Sequence, residues 1–393
     1  MKLGIVYQGT YPPSVGASGA DRRVRDLARG IAAAGCDVTM YVPTTRRPRA
    51  DTAGGDHNVE YLGEVNETIT GRLSYWRALV NEVRQCKVDF ILLYNTSAES
   101  ILYVNRLKSS GAKVLYEICD LHSSFTLSLR NLIVGLAERI LPRQADGIIV
   151  ISQFLETFVS QQAPSTPRIT VPILVDGDLF AKGYSENRAN LTDSPTLLGI
   201  HENDILITYV GGHWKHEGIR YLLEAFSKIS DERPHLKLLV AGKLERTEAH
   251  DDVASLAATL VAQKRVILTG WVDTNEVVKI FERSDVLCVP QTNHTFSQAG
   301  LPTKLAEYAS MGKAILATRV GDVPRYFIHE QNALLCTAED SNAMAEQLRR
   351  LVNDAKLRRV LGEAAAETAR EIFDYRMQGR RVYSWMNDLA HDS

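Results

Sequence analysis

Short apolar runs alternate with longer stretches in which apolar positions recur every three to four residues, and this rhythm continues along most of the chain. Runs of the first kind read as buried strands and stretches of the second as amphipathic helices, so their alternation predicts parallel sheets wrapped by helices. In the first half the pattern predicts strands at 3–7, 37–42, 90–94, 113–118 and 147–151, with helices at 21–34, 71–85, 98–109, 123–141 and 153–161. A polar, proline-punctuated stretch at 176–204 interrupts it and reads as a connection between domains. The rhythm then resumes, with strands expected at 204–210, 235–242, 265–268, 286–290, 314–318 and 333–336. Helices fit between them at 218–230, 251–263, 274–283, 302–311 and 342–353. Two doubly wound (Rossmann-like) α/β domains of similar size result, divided at residue 175. Ligands of such sheets gather beyond the carboxyl ends of the strands, so a cleft between the domains is the expected site.

Size agrees with two cores, because 393 residues exceed what one core usually supports. A net charge of −2 argues against nucleic acid as a partner, since binders of polyanions carry a basic excess. Arginines nevertheless crowd the first fifty positions, at 22, 23, 25 and 29 and again at 46, 47 and 49. These read as solvated faces or as a surface for anionic lipid headgroups. The five cysteines are scattered without any C-x-x-C pair, which predicts buried thiols in a reducing cytoplasm. No apolar stretch approaches the roughly 18 residues that span a bilayer. Met1 to Tyr7 reads as a strand instead of a signal peptide. A cytoplasmic protein, at most adherent to a membrane, is therefore expected; the apolar and basic helix expected at 123–141 is either core or a lipid-facing surface.

Candidate chemistry falls in strand-to-helix loops. The segment Gly300-Leu-Pro-Thr-Lys-Leu-Ala-Glu307 follows a strand and a polar loop, and Pro302 suits the first position of a helix. Free N–H groups at a helix start attract anions. Glu307 lies roughly 6–7 Å further along the axis, about the reach from a diphosphate to the ribose hydroxyls. Thr303, Lys304 and Glu307 would share the polar face and Leu301, Leu305 and Ala309 the buried one. The alternative is an ordinary amphipathic helix with a solvated Glu307. Two glycine-bearing loops, 8–19 with Gly16 and Gly19 and 211–218 with Gly211, Gly212 and Lys215, are placed to approach a phosphate, or are plain surface turns. Neither matches G-x-G-x-x-G or the Walker pattern. Asp120 and His122 end a strand of the first domain, where they suit a sugar hydrogen bond or a proton transfer. Asp120 is equally suited to capping the helix that follows. Asp176-Gly-Asp178 reads as turn chemistry, and no spacing suggests a catalytic metal.

Taken in order, the segments 16–42, 145–154, 171–180, 209–226, 266–290 and 301–324 resemble glycosyltransferase family 4, a group with the GT-B fold. The resemblance runs from the first strand to the final helix. It implies two Rossmann-like domains facing a central cleft, with a last helix at 376–393 crossing back to the first domain. It also implies a metal-independent, retaining transfer from a nucleotide-diphosphate sugar to a glycan, lipid-linked or small-molecule acceptor, without a cofactor. Carried over by position, Glu307 would bind the ribose, Thr303 and the backbone at Lys304 and Leu305 the diphosphate, and Trp271-Val272 the base. Gly16 and Gly19 would approach the phosphates from the first domain, and Lys215, Lys304 and Lys243 would offset their charge.

The chain departs from the family pattern at four positions. Ala299 stands where the first of two glutamates is usual, Gly212 and Glu217 replace an arginine and a lysine, and Cys119 replaces a histidine. These departures leave open a catalytically degenerate scaffold beside the transferase, and an epimerase or hydrolase on the same fold is a third reading.

Overall fold

The computed structural model describes residues 1–8, 19–43, 58–62, 69–95, 98–121, 129–179, 199–212, 214–242 and 251–391. The chain divides into two compact units, Met1–Leu174 with Ala299–Leu301 and Phe373–Ser393, and Val175–Gln298 with Pro302–Ile372.

Among the described residues, seven strands form the sheet of the first unit: β1 (Lys2–Val6), β2 (Asp37–Pro43), β3 (Asn58–Leu62), β4 (Phe90–Tyr94), β5 (Lys113–Ile118), β6 (Gly147–Val150) and β7 (Arg168–Thr170). All pairings are parallel and the order is β3-β2-β1-β4-β5-β6-β7. Every residue of the central β4 is buried, as a strand covered on both faces requires, whereas the edge strands β3 and β7 are only partly covered. These edges are the two strands that periodicity does not predict, because a three-residue Arg-Ile-Thr carries no readable alternation.

Connecting helices span Gly19–Ala33, Ile69–Cys86, Val104–Lys108, Leu129–Gln144 and Gln153–Gln162. The expected helix at 98–109 is a 3₁₀ turn, Ala98–Leu102, followed by a short α-helix. The start of the one expected at 123–141 lies outside the described residues. A last helix, Tyr375–His391, packs on Gly19–Ala33 in the same unit. Close approach is possible because Gly30 and Gly379 face each other: a Cβ on Gly30 would lie 2.1 Å from the Tyr375 carbonyl oxygen.

Among its described residues the second unit has six parallel strands, β8 (Ile205–Val210), β9 (Leu236–Ala241), β10 (Val266–Gly270), β11 (Val286–Val289), β12 (Ala314–Thr318) and β13 (Leu334–Cys336), ordered β10-β9-β8-β11-β12-β13. Its core joins Tyr209, Leu222, Phe226, Val286, Leu316 and Leu348 from strands and helices alike. Asp273, Asp340 and Asp354 cap helices with their carboxylates, which satisfies N–H groups that lack a helical partner. Among the described residues of this part of the chain, three helices, Thr295–Ala299, Val323–Tyr326 and Ala355–Thr368, go unread in the sequence pattern. The interdomain stretch is described at 176–179 and 199–204 only, and Asp176 accepts the Leu179 N–H at the start of the helical residues 177–179, where a turn was expected.

Several expectations need correction. The arginines of the first helix are not a solvated face: Arg23 is buried, Arg25 pairs with Asp26, and Arg29 donates to the Tyr375 hydroxyl. Arg46, Arg47 and Arg49 lie outside the described residues. Four cysteines are buried but Cys86 is exposed. Pro302 flanks its helix in an extended conformation instead of occupying the first helical position.

Candidate functional site

Strand order reverses between β8 and β11 in the second sheet, and a crevice opens beyond the carboxyl ends of strands at such a reversal. Two segments leave the sheet there, the 211–218 loop after β8 and the chain from Pro290 after β11. They are pinned together: the His216 carbonyl accepts the Thr292 N–H at 2.9 Å. Gly218 sits with φ +69°, and a Cβ on it would lie 1.9 Å from the Pro290 carbonyl oxygen, so only glycine lets the two segments meet.

Helix Thr303–Ser310 begins beside this loop. No side chain caps it, in contrast to the helices that follow Asp273 and Asp340. Lys304, its second residue, reaches the loop. Its ammonium lies 2.6 Å from Glu217 Oε2 and 4.7 Å from the ring centre of Tyr209, close enough to Gly211 that a Cβ there would be 2.5 Å from Nζ. The Tyr209 hydroxyl donates to Glu217 Oε2 at 3.0 Å, and the Tyr308 hydroxyl accepts the Val210 N–H at 3.2 Å. Burial pushes the Glu217 carboxyl upward, but the Lys304 ammonium and its hydrogen bond, with His216 and Tyr209, outweigh it and hold the group below the usual carboxylate range. Burial likewise lowers His216, whose ring packs 4.8 Å from that of Phe296.

Glu307 lies one turn further along. It is 9% exposed, between buried Ala306 and Tyr308, so the alternative of a solvated glutamate on a polar face is overturned. A carboxylate-bearing residue is rarely buried without a polar partner or role. Leu305 is buried, and Thr303 is half-buried at the helix start. Trp271 and Val272 follow β10, the indole 64% exposed and Val272 half-buried. Gly212 is exposed at the loop's surface. Lys215 opens a single 3₁₀ turn, but its side chain, like Lys243, lies outside the described residues.

In the first unit the reversal falls between β1 and β4. Gly19 opens the helix that follows β1, whereas Gly16 and His122 lie outside the described residues. Asp120 is half-buried just past β5. The preceding Cys119 N–H donates to the side-chain oxygen of Asn95, a residue with φ +40° after β4. Among the described residues no cluster of three or more His, Cys, Asp or Glu could hold a metal ion.

Comparison with known proteins matches residues 17–173 to Glycosyltransferase Family 4 and residues 193–368 to Glycosyl transferases group 1. The two matches follow one another and together take in most of the chain. This chain belongs to glycosyltransferase family 4. A relative, the D-inositol 3-phosphate glycosyltransferase of Corynebacterium glutamicum, is 23% identical over 99% of this chain and 97% of its own. Among solved structures, the sucrose-phosphate synthase of Thermosynechococcus elongatus superposes with a TM-score of 0.78 at 19% identity, covering all of both chains. Anabaena Alr3699/HepE, in complex with UDP-glucose, has a TM-score of 0.71 at 16% identity, covering 99% of this chain and 100% of its own. The fold is accordingly of the GT-B class, and the protein is a glycosyltransferase of that type.

The sequence pattern does not mark Tyr209 and Tyr308 as site residues, although Tyr308 adjoins Glu307 and Tyr209 lies two positions before Gly211. The Lys304–Glu217 pair escaped it too. Lys304 was expected to offset phosphate charge, and here it is already engaged by a carboxylate 87 positions away in sequence.

Proposed function

We propose that this glycosyltransferase takes a sugar from a nucleotide-diphosphate donor held by the second unit and passes it, with retention, to a sugar-type acceptor. The observation that carries this reading is the burial of Glu307 one turn inside a helix whose uncapped start meets the 211–218 loop. Backbone N–H groups of that start and the Lys304 ammonium suit a diphosphate. Glu307 is then within reach of ribose hydroxyls of the same nucleotide, and the exposed Trp271 indole offers a face to a base.

Preorganised donors aimed at the departing diphosphate stabilise the charge that builds there, which is usually the largest contribution to such a transfer. The acceptor hydroxyl attacks from the leaving group's side, and a phosphate oxygen takes its proton. The transfer is taken to need no metal, so activity unchanged by a chelator is expected. Uridine donors and phosphorylated or glycan acceptors come first, because HepE was solved with UDP-glucose and the corynebacterial relative is named for a sugar-like phosphate. Isothermal titration with UDP-, GDP- and ADP-sugars tests this reading; binding of one is expected, and binding of none overturns it.

A second observation supports contact of the first unit with a membrane surface. Leu132, Ile133 and Leu136 stand 64%, 48% and 56% exposed on the Leu129–Gln144 helix, with exposed Arg139 and Arg143 on the same helix. An apolar face beside basic residues suits an anionic bilayer surface. Co-sedimentation with anionic vesicles at low salt tests it, and no binding there overturns it.

A further inference from the structure

Near the start of the Thr303–Ser310 helix, the Lys304 ammonium lies where a Cβ on Gly211 would point, and its charge is matched by Glu217. The carboxylate is fixed in place. Tyr209 donates to it, the Tyr209 hydroxyl also reaches the Gly212 carbonyl, and the side chains of Lys304 and Glu217 are 13% and 14% exposed. Neither partner can swing into solvent without breaking several contacts. Among the described residues, the corner that would receive the phosphates therefore presents an ion pair with no net charge.

We propose that Glu217 makes this corner discriminate between the nucleotide sugar and the spent nucleoside diphosphate, disfavouring the product and so promoting its release. The inference rests on the donor reading above. In the transfer, the bond from the sugar's anomeric carbon to the β-phosphate oxygen breaks and a bond from that carbon to the acceptor oxygen forms. The acceptor's proton passes to a phosphate oxygen and then to solvent. The β-phosphate, bonded in the donor to both the sugar and the α-phosphate, becomes a terminal phosphate with a second ionisation near pH 6. Near neutral pH the product thus carries up to one more negative charge than the substrate.

A fixed carboxylate next to the phosphate site acts on that extra charge and little on the rest of the nucleotide. A lone Lys304 would hold the product more tightly than the donor. Paired with Glu217, it orients the diphosphate through hydrogen bonds without rewarding the added charge. Within a few ångströms in a half-buried site, one unit of charge changes an affinity by on the order of tenfold or more.

The experiment is a charge series, with UDP and UDP-glucose as probes in isothermal titration at pH 7.5. Lys304→Gln leaves the pair at −1, the wild type and the Glu217→Gln/Lys304→Gln double variant leave it neutral, and Glu217→Gln leaves it at +1. The expected preference for UDP over UDP-glucose rises in that order, by on the order of tenfold per step. It should collapse toward a common value at pH 5, where the terminal phosphate is singly charged. A merely structural role would move both affinities together and leave their ratio unchanged. That result, in variants whose melting temperature shows them folded, overturns the inference alone. If Glu217→Gln does not fold, the comparison of Lys304→Gln with the wild type and the double variant still decides it. Absence of binding of both probes to the wild type, with the other nucleotide sugars also failing, overturns the donor reading and this inference with it.

Discussion

The guanidinium of Arg23 and the carboxylate of Glu117 meet at 2.8 Å inside the first unit, 3% and 0% exposed. Arg23 also donates to the carbonyls of Val171 and Pro172, tying the first helix to the end of β5 and to the chain beyond β7. Burial pushes the Glu117 carboxyl upward and the guanidinium opposes it. Removing one partner strands a buried charge, which typically costs about 3–5 kcal/mol. Glu117→Ala should lower stability by about that much in urea unfolding, and the double variant Arg23→Met/Glu117→Leu by less. Equal losses in the two would show that the charges are not coupled.

Gly30 and Gly379 set how closely the last helix seats on the first. A Cβ on Gly379 would fall 2.0 Å from the Gly30 carbonyl carbon, and the atoms in the way are backbone. Overpacking of this kind costs about 1–3 kcal/mol. Gly379→Ala should lower the thermal midpoint and make the 375–391 segment the first to be cut by protease, as read by mass spectrometry.

Glu307→Ala should weaken nucleotide-sugar binding by about 1–3 kcal/mol through lost charged hydrogen bonds. The titration is to be made on protein with an unaltered circular dichroism spectrum. Unchanged affinity would mean that the ribose lies elsewhere.

Two pH windows follow from the 211–218 loop. Glu217 is held below its ordinary value of 4.5, so its contribution to stability is present above that pH and lost as pH falls through its lower folded value. His216, lowered by burial from 6.5, favours the neutral ring in the folded state. Its contribution is present above 6.5 and lost as pH falls below it, where the unfolded chain gains the proton first. Urea unfolding across pH 7 to 3 should show a shallower decline for His216→Gln just below 6.5 and for Glu217→Gln below 4.5. Parallel curves for variants and wild type would refute both assignments.

The parallel sheets were legible because strands such as Phe90-Ile-Leu-Leu-Tyr94 are buried on both faces and stand out as unbroken apolar runs. The edge strands of the first sheet were not, since Asn58-Val-Glu-Tyr-Leu62 is half-covered and mixes polar with apolar positions. Ala355–Thr368 was missed because it buries little besides Leu361, Gly362 and Ala365, too few for a readable stripe. At the candidate site, glycines and a helix start announce themselves in local sequence. Side-chain pairing does not: Arg23 looked like a surface cation because Glu117 is 94 residues distant, and Lys304 looked available because Glu217 is far behind it in the chain. Whether a charge is spoken for is a property of topology.

Because Tyr375–His391 belongs to the same unit as β1, the second unit is in effect a long insertion within the first. During synthesis that closing helix leaves the ribosome only after every strand of the insertion has been made. The earliest translated sheet must therefore wait, its first helix uncovered along Gly30, while the later one can already fold. A genetic cut after residue 174 would yield an N-terminal piece deprived of its own last helix. Separate production of the halves calls for excising the middle and rejoining the flanks.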